Sequence, residues 1–285
     1  MTLNLQSVFD DLGLSINHYR SVHGGDINEC YYLQTNDEKY FLKINDSKLY
    51  PAMFEKEAHG LDALRSNSSL SIPRVIKYRV VNSRQYLLLE WIEPGSVSAD
   101  FWEGFGAALA TMHLQQQTYF GWQEDNYVGS LQQLNTPYDR WSSFYAECRI
   151  MPLVKTLLDA GAFAKNDVSS AITLCKKLDD LFPDEPPSLL HGDLWSGNYM
   201  VTDSGEASIF DPAVYYGHRE MDIGMTLLFG GFDELFYEGY RQVHPLETGW
   251  QQRLQLTQLY PLLVHAVLFG GHYIGRCREI IRRFH

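Results

Sequence analysis

At 285 residues, with 45% hydrophobic and 20% charged side chains, the chain can bury a core without disulfides or a structural metal. Its composition excludes a disordered, collagen-like or coiled-coil protein. Lys and Arg total 23 against 35 Asp and Glu, a net charge of −12 with no basic stripe, which excludes nucleic acid as the main partner.

The N-terminal segment MTLNLQSVFDDLGL has no Lys or Arg before Arg20 and does not fit a signal or transit peptide. Residues 30–36 and 39–45 are aromatic and apolar runs flanking Asn36-Asp37, which predicts a β-hairpin. Pro51 to Asn67 reads as a helix, with Phe54, Ala58, Leu61 and Leu64 at helical spacing. Residues 75–81 and 86–92 predict two more strands, and Pro94-Gly95 breaks the pattern. Helical periodicity then dominates, over 98–117, 139–149, 167–182, 220–229 and 247–274. One β island interrupts it, with strands over 198–202 and 207–211 joined by Asp203-Ser204-Gly205. The uncharged stretch from Leu254 to Gly275 carries Gln255, Gln258, Pro261, His265 and His272, so it reads as a buried helix of a soluble protein, not a membrane span. Cys30, Cys148, Cys175 and Cys277 form no CxxC and no metal-ligand spacing; they read as reduced thiols in a cytoplasmic protein. The outline is α+β: a small β-rich lobe, residues 1–92, and a larger helical lobe, residues 93–285, with a cleft between them.

The chemistry concentrates in LLHGDLWSGNYMVTDSGEASIFDPA, residues 189–213. Asp193 and Asn198 bracket a loop before the first strand of the island, and Asp211 follows the second. A tight hairpin brings Asn198 and Asp211 to one end, giving two oxygen ligands for Mg²⁺ with the Asp193 carboxylate nearby. Mg²⁺ needs only one or two protein oxygens when phosphates and waters complete its shell. H-G-D-x-x-x-x-N…D keeps the spacing of the kinase template H-R-D-x-x-x-x-N…D. Asp193 is then the base that orients a hydroxyl and accepts its proton, and Asn198 and Asp211 are the metal ligands. Gly192 replaces the template arginine that pairs with an activation-loop phosphate, and no such loop or A-P-E follows. That points to a small-molecule kinase. His191 reads as a buried histidine bonded to backbone.

ATP phosphates need a cation from the other lobe. Lys43, mid-strand in Phe41-Leu42-Lys43-Ile44, suits that role. Its carboxylate partner belongs on the following helix. Glu57 falls on the face defined by Phe54, Ala58, Leu61 and Leu64, whereas Glu55 lies nearly opposite, so Glu57 is selected. Gly24 and Gly25, in His23-Gly24-Gly25-Asp26-Ile27-Asn28, are placed to cradle phosphate with backbone N–H groups. The backbone of Glu90 and Ile92, ending the last strand of the small lobe, is placed to pair with adenine.

HGDLWSGN, DPAVYYGHREMDIGMTLLFGGF (211–232) and FGWQEDNYVGSLQQLN (120–135) with Trp141, Phe144 and Arg149 resemble the fructosamine/ketosamine 3-kinase family, bacterial branch, over about residues 5–280. The resemblance implies the protein-kinase-like fold of the aminoglycoside/choline-kinase type. It implies phosphoryl transfer from ATP to O3 of a ketosamine (ribulosamine, erythrulosamine or fructosamine), free or protein-bound, leading to deglycation. It places Trp195 against the sugar and Tyr215, Tyr216, His218 and Arg219 around the acceptor. The place of the loop cysteine associated with redox control in many members is held by Asp26, so that control is not carried over. An acidic surface suits cationic, lysine-derived acceptors. A monomer or weak homodimer is expected. The alternatives are another kinase of this fold, acting on an aminoglycoside, choline or homoserine, and a non-catalytic binding module.

Overall fold

The computed structural model describes residues 5–22 and 27–285. The helix α1 (Gln6–Leu12) precedes a sheet built from β1 (His18–Val22), β2 (Glu29–Gln34), β3 (Lys39–Asp46), β4 (Val75–Val81) and β5 (Arg84–Glu90), with α2 (Met53–Asn67) inserted after β3. The order is β1-β2-β3-β5-β4 and every pairing is antiparallel. The hairpin at Asn36-Asp37 closes through Thr35 N–H donating to Glu38 O at 2.9 Å.

Side-chain alternation explains this sheet. Leu33, Leu42, Ile44, Tyr86 and Leu88 turn towards α1 and pack with Val8 and Leu12. Leu87 and Leu89 turn the other way, onto Phe54, Leu61 and Leu64 of α2. β5 is therefore covered on both faces, which is why YLLL reads as an unbroken apolar run. Each fully buried leucine contributes about 1.5–3 kcal/mol. Since Leu42 and Ile44 face α1, Lys43 between them must face α2.

The remainder is mostly helical: α3 (Phe101–His113), α4 (Trp141–Phe144), α5 (Met151–Asp159), α6 (Lys165–Cys175), α7 (Leu178–Leu181), α8 (Glu220–Leu228), α9 (Glu234–Val243), α10 (Trp250–Thr257), α11 (Leu259–Phe269) and α12 (His272–Phe284). Three two-stranded pairs lie among them: β6 (Asn126–Val128) with β7 (Leu131–Gln133), β8 (Ser188–Leu190) with β11 (Tyr215–Gly217), and β9 (Tyr199–Val201) with β10 (Ala207–Ile209). The helices α3 and α9 touch backbone to backbone. A Cβ on Gly106 would lie 1.9 Å from Phe236 O, and one on Gly239 would lie 2.0 Å from Glu103 O.

Three readings need correction. The helix expected over 247–274 is three helices: α10 and α11 part at Gln258, and α11 and α12 part at Gly270 and Gly271, which take φ of 65° and 60° with ψ near −136°, a region open only to glycine. The helix expected over 139–149 passes from α4 into a π-helical turn, Tyr145–Ile150, and continues as α5. The helix α9 and the short strands β6, β7, β8 and β11 were not legible from periodicity; three-residue strands are too short to show alternation. Among the described residues no helix is long and apolar enough to cross a membrane. Cys148, Cys175 and Cys277 are free thiols.

Candidate active site

The island hairpin does what its spacing predicts. Ile209 pairs with Tyr199, and Phe210 N–H donates to Asn198 O at 3.1 Å, so Asn198 and Asp211 flank the same end. Asp211 has φ of 56°, a left-handed conformation rare for a residue with a side chain and a form of strain that clusters at functional sites. Its carboxylate reaches back to the sheet: Lys43 Nζ donates to Asp211 Oδ1 at 2.7 Å and to Glu57 Oε1 at 2.8 Å. Lys43 is 3% exposed, so its charge is compensated by both carboxylates rather than by water. Burial alone would push the ammonium down; Asp211 and Glu57 more than reverse this and hold its pKa above the ordinary lysine value. Glu55 is exposed.

The loop carrying Asp193 is anchored from α8. Asp222 accepts the backbone N–H of His191 at 2.8 Å and of Gly192 at 2.9 Å, and His113 Nε2 lies 3.2 Å away. Burial opposes ionisation of Asp222, yet these partners hold it below the usual carboxylate range. Gly192 sits at φ 83°, and a Cβ there would lie 2.1 Å from Ala213 O, so no other residue fits. Asp193 N–H donates to His191 Nδ1 at 3.3 Å, and His191 Nε2–H donates to Phe210 O at 3.0 Å. This fully buried histidine bonds backbone, as its sequence context suggested, and burial lowers its pKa. Asn198 Nδ2 donates to Asp193 O at 2.8 Å and lies 3.2 Å from Asp193 Oδ2. Burial pushes the Asp193 carboxyl up to about 7; the charge of Asp211 adds to the rise and the Asn198 amide opposes it.

These groups open onto one cavity of about 530 Å³, lined among others by Lys43, Glu57, Asp193, Trp195, Asn198 and Asp211. The Trp195 ring folds over Gly197, where a Cβ would come within 2.3 Å of it, and meets Phe229 edge to face at 6.1 Å.

Four expected acceptor residues lie elsewhere. Tyr216 stacks on Trp122 at 5.7 Å. His218 packs on Phe182 at 5.0 Å, and Arg219 bonds both oxygens of Glu185 at 2.8 Å. Tyr215 is held under the Arg149 guanidinium, 4.0 Å from its ring centroid, and reaches only a void of about 20 Å³ behind Asp193. Tyr215 and Tyr216 of β11, and His218 and Arg219 just beyond it, are all buried, so these side chains serve the core. Glu90 and Ile92 do not line the cavity; Glu90 N–H donates to Arg74 O at 3.0 Å and its carboxylate accepts Arg74 N–H at 2.7 Å. Gly24 and Gly25 lie outside the described residues.

Sequence reasoning missed Asp222, which a carboxylate inside the apolar run MDIGM could have signalled. It also missed the cavity wall of Phe229, His265, Leu268 and Phe269. Among the described residues no cluster of three His, Cys, Asp or Glu is placed to hold a metal by itself.

The sequence pattern of the fructosamine kinase family matches residues 4–285. A probable ketoamine kinase of Synechocystis is 41% identical over 270 residues, spanning 94% of this chain and 90% of that protein. The chloroplastic protein-ribulosamine 3-kinase of Arabidopsis thaliana is 37% identical over 92% of this chain and 80% of its own length. Among solved structures, a Thermobifida fusca protein described as a candidate fructosamine-3-kinase superposes with a TM-score of 0.88 at 34% identity, covering 98% of each chain. An aminoglycoside phosphotransferase, solved as a ternary complex with AMP-PNP and hygromycin B, superposes with a TM-score of 0.64 at 16% identity over 98% of each chain, which shows the fold alone. The chain thus belongs to the fructosamine kinase family, a family of phosphotransferases on the aminoglycoside-kinase-like fold: a five-stranded antiparallel sheet followed by a largely helical lobe.

Proposed function

We propose that the protein transfers the γ-phosphoryl group of ATP to O3 of a ketoamine, with residues 1–92 forming the nucleotide lobe and 93–285 the acceptor lobe. The observation that carries this reading is the convergence of Lys43, Asp211, Asn198 and Asp193 on one cavity. The likeness to the chloroplastic protein-ribulosamine 3-kinase supports a ketoamine acceptor, and the AMP-PNP complex of the aminoglycoside phosphotransferase supports a nucleotide donor.

Asp193 holds the acceptor hydroxyl by a hydrogen bond to its carboxylate and takes the proton as the O–P bond forms. Lys43, steadied by Glu57, meets the phosphate oxygens. Trp195, on the cavity wall, faces the sugar of the acceptor. The donor set fits Mg²⁺: the Asn198 amide nitrogen is engaged by Asp193, which leaves Oδ1, and Asp211 keeps Oδ2 beyond its bond to Lys43. When bound there by Asn198 and Asp211, Mg²⁺ neutralises charge on the phosphate oxygens.

A phosphate on C3 sits alpha to the C2 carbonyl. Enolisation towards C1 gives a C1=C2 enol that makes its C–O bond allylic; it departs as inorganic phosphate, the adduct breaks down, and the amine is freed, so the cellular role is deglycation. The test is ATP consumption with ribulosyl-, erythrulosyl- and fructosyl-lysine, with phosphorus NMR locating the phosphate. Turnover of an aminoglycoside and of no ketoamine would remove this reading.

A further inference from the structure

Two Leu-Phe-Gly-Gly sequences, residues 228–231 and 268–271, close the helices α8 and α11, and each delivers its phenylalanine to the cavity wall. The glycines explain this delivery. Gly230, Gly231, Gly270 and Gly271 all have φ between 60° and 94°, so each helix stops abruptly and its terminal aromatic is left uncovered. Phe229 is 38% exposed and Phe269 60% exposed. A Cβ on Gly231 would lie 2.7 Å from Ser196 Cβ, so the first turn rests directly on the loop that carries Asp193 and Trp195.

The rings make a continuous arc. Trp195 and Phe229 are 6.1 Å apart, Phe229 and His265 4.9 Å, and His265 and Phe269 5.5 Å. His265 is fixed in the arc by Nδ1–H donating to Pro261 O at 2.8 Å. Among the described lining residues the carboxylates are Glu57, Asp193 and Asp211, and none belongs to the arc. An uncovered aromatic surface continuous with a polar site marks a place where a ligand completes the packing.

We propose that this arc, centred on Phe229 and Phe269, binds the amine-borne part of the acceptor and selects ketoamines whose nitrogen carries an aromatic or branched apolar group. The inference rests on the ketoamine kinase reading above. In such an acceptor the nitrogen is three bonds from C3, at roughly 1.5 Å per bond. With O3 at Asp193, the nitrogen and its substituent must cross the lip where Trp195 stands two residues further on. The protonated nitrogen meets ring faces there, an attraction available without a carboxylate. An apolar substituent removes Phe229 and Phe269 from water; a charged one would be desolvated with no partner. The cleft therefore does not favour a free lysine side-chain charge at this position, whatever the net charge of the surface.

The test is kcat/KM for ribulosyl-benzylamine and ribulosyl-methylamine, measured as a ratio for each protein so that losses of folded enzyme cancel. Wild type is expected to favour the benzylamine adduct by about tenfold or more. In the Phe229→Ala/Phe269→Ala double variant the ratio is expected to fall to near one. The single Phe→Leu variants, which keep an apolar side chain, are expected to fall in between and preserve the test should the double variant not fold. A wild-type ratio near one, or a ratio retained in the variants, overturns the inference and leaves the kinase reading standing. No turnover with any ketoamine overturns that reading, and the inference with it.

Discussion

Asp222 accepts the backbone N–H of Gly192 at 2.9 Å, tying the first turn of α8 to the loop that presents Asp193. The carboxylate is 1% exposed and its second oxygen serves His191, so it holds a loop in place without lining the cavity. Asp222→Asn turns one acceptor into a donor that faces an N–H group. The expected result is a loss of about 1–3 kcal/mol of stability and, if Asp193 acts as proposed, a fall in kcat of about a hundredfold from its displacement. Urea unfolding and steady-state kinetics measure the two effects separately; unchanged kcat would show that the loop is held by other means.

Glu57 and Glu55 offer a paired comparison on one helix. Glu57 bonds Lys43 at 2.8 Å, whereas Glu55 is exposed in the first turn of α2. Glu57→Gln is expected to lower kcat/KM for ATP about a hundredfold by letting Lys43 drift towards Asp211. Glu55→Gln is expected to stay within about twofold of wild type, since an exposed helical carboxylate contributes little. Equal effects would break the link between helix face and function.

Gly104 and Gly106, two residues apart in α3, should respond oppositely to alanine. Nothing lies within 4 Å of a Cβ on Gly104, which is exposed, so Gly104→Ala is expected to stabilise by about 0.5–1 kcal/mol through helix propensity. At Gly106 the Cβ would lie 1.9 Å from Phe236 O, so Gly106→Ala must separate α3 from α9 and is expected to cost about 1–3 kcal/mol or more. Thermal unfolding of the two variants decides this; a stabilised Gly106→Ala would show that the helices part freely.

Two carboxyls give stability opposite pH dependences. Asp222 has a folded pKa below its unfolded value of about 3.9. Its contribution is complete above that value and is lost as pH falls through the folded pKa, so acid destabilisation sets in below about pH 4. Asp193 runs the other way, with a folded value raised to about 7. Between its unfolded and folded pKa the native state holds a proton that the unfolded chain has released, so stability falls as pH rises through that window. In protein free of nucleotide and divalent cation, Asp193→Asn is therefore expected to raise Tm above pH 7, with the gain shrinking towards pH 4. A gain independent of pH would assign it to packing instead.

Some of this was legible in the residues because local rules are strict. Strand alternation forces Lys43 away from Leu42 and Ile44, and a helix rotation of about 100° per residue separates Glu57 from Glu55. Both rules acted over short spans, and the two side chains meet. Tyr215, Tyr216, His218 and Arg219 were misread because a matching segment shows that a stretch matters without showing which way its side chains point. Arg149 claims Tyr215 and Glu185 claims Arg219, partners 66 and 34 residues away by sequence that no periodicity reveals. The aromatic arc was hidden for a related reason. Its two Leu-Phe-Gly-Gly turns lie 40 residues apart in the sequence, and only the packing of α8 and α11 brings them to one wall.

Position 192 has a wider implication. Protein kinases are switched on when an arginine in this place grasps a phosphate newly attached to a mobile segment. Here the Ala213 carbonyl fills the volume that such a side chain would need. The space at position 192 is thus spent on close packing of the loop against Ala213, and that switch has no foothold there.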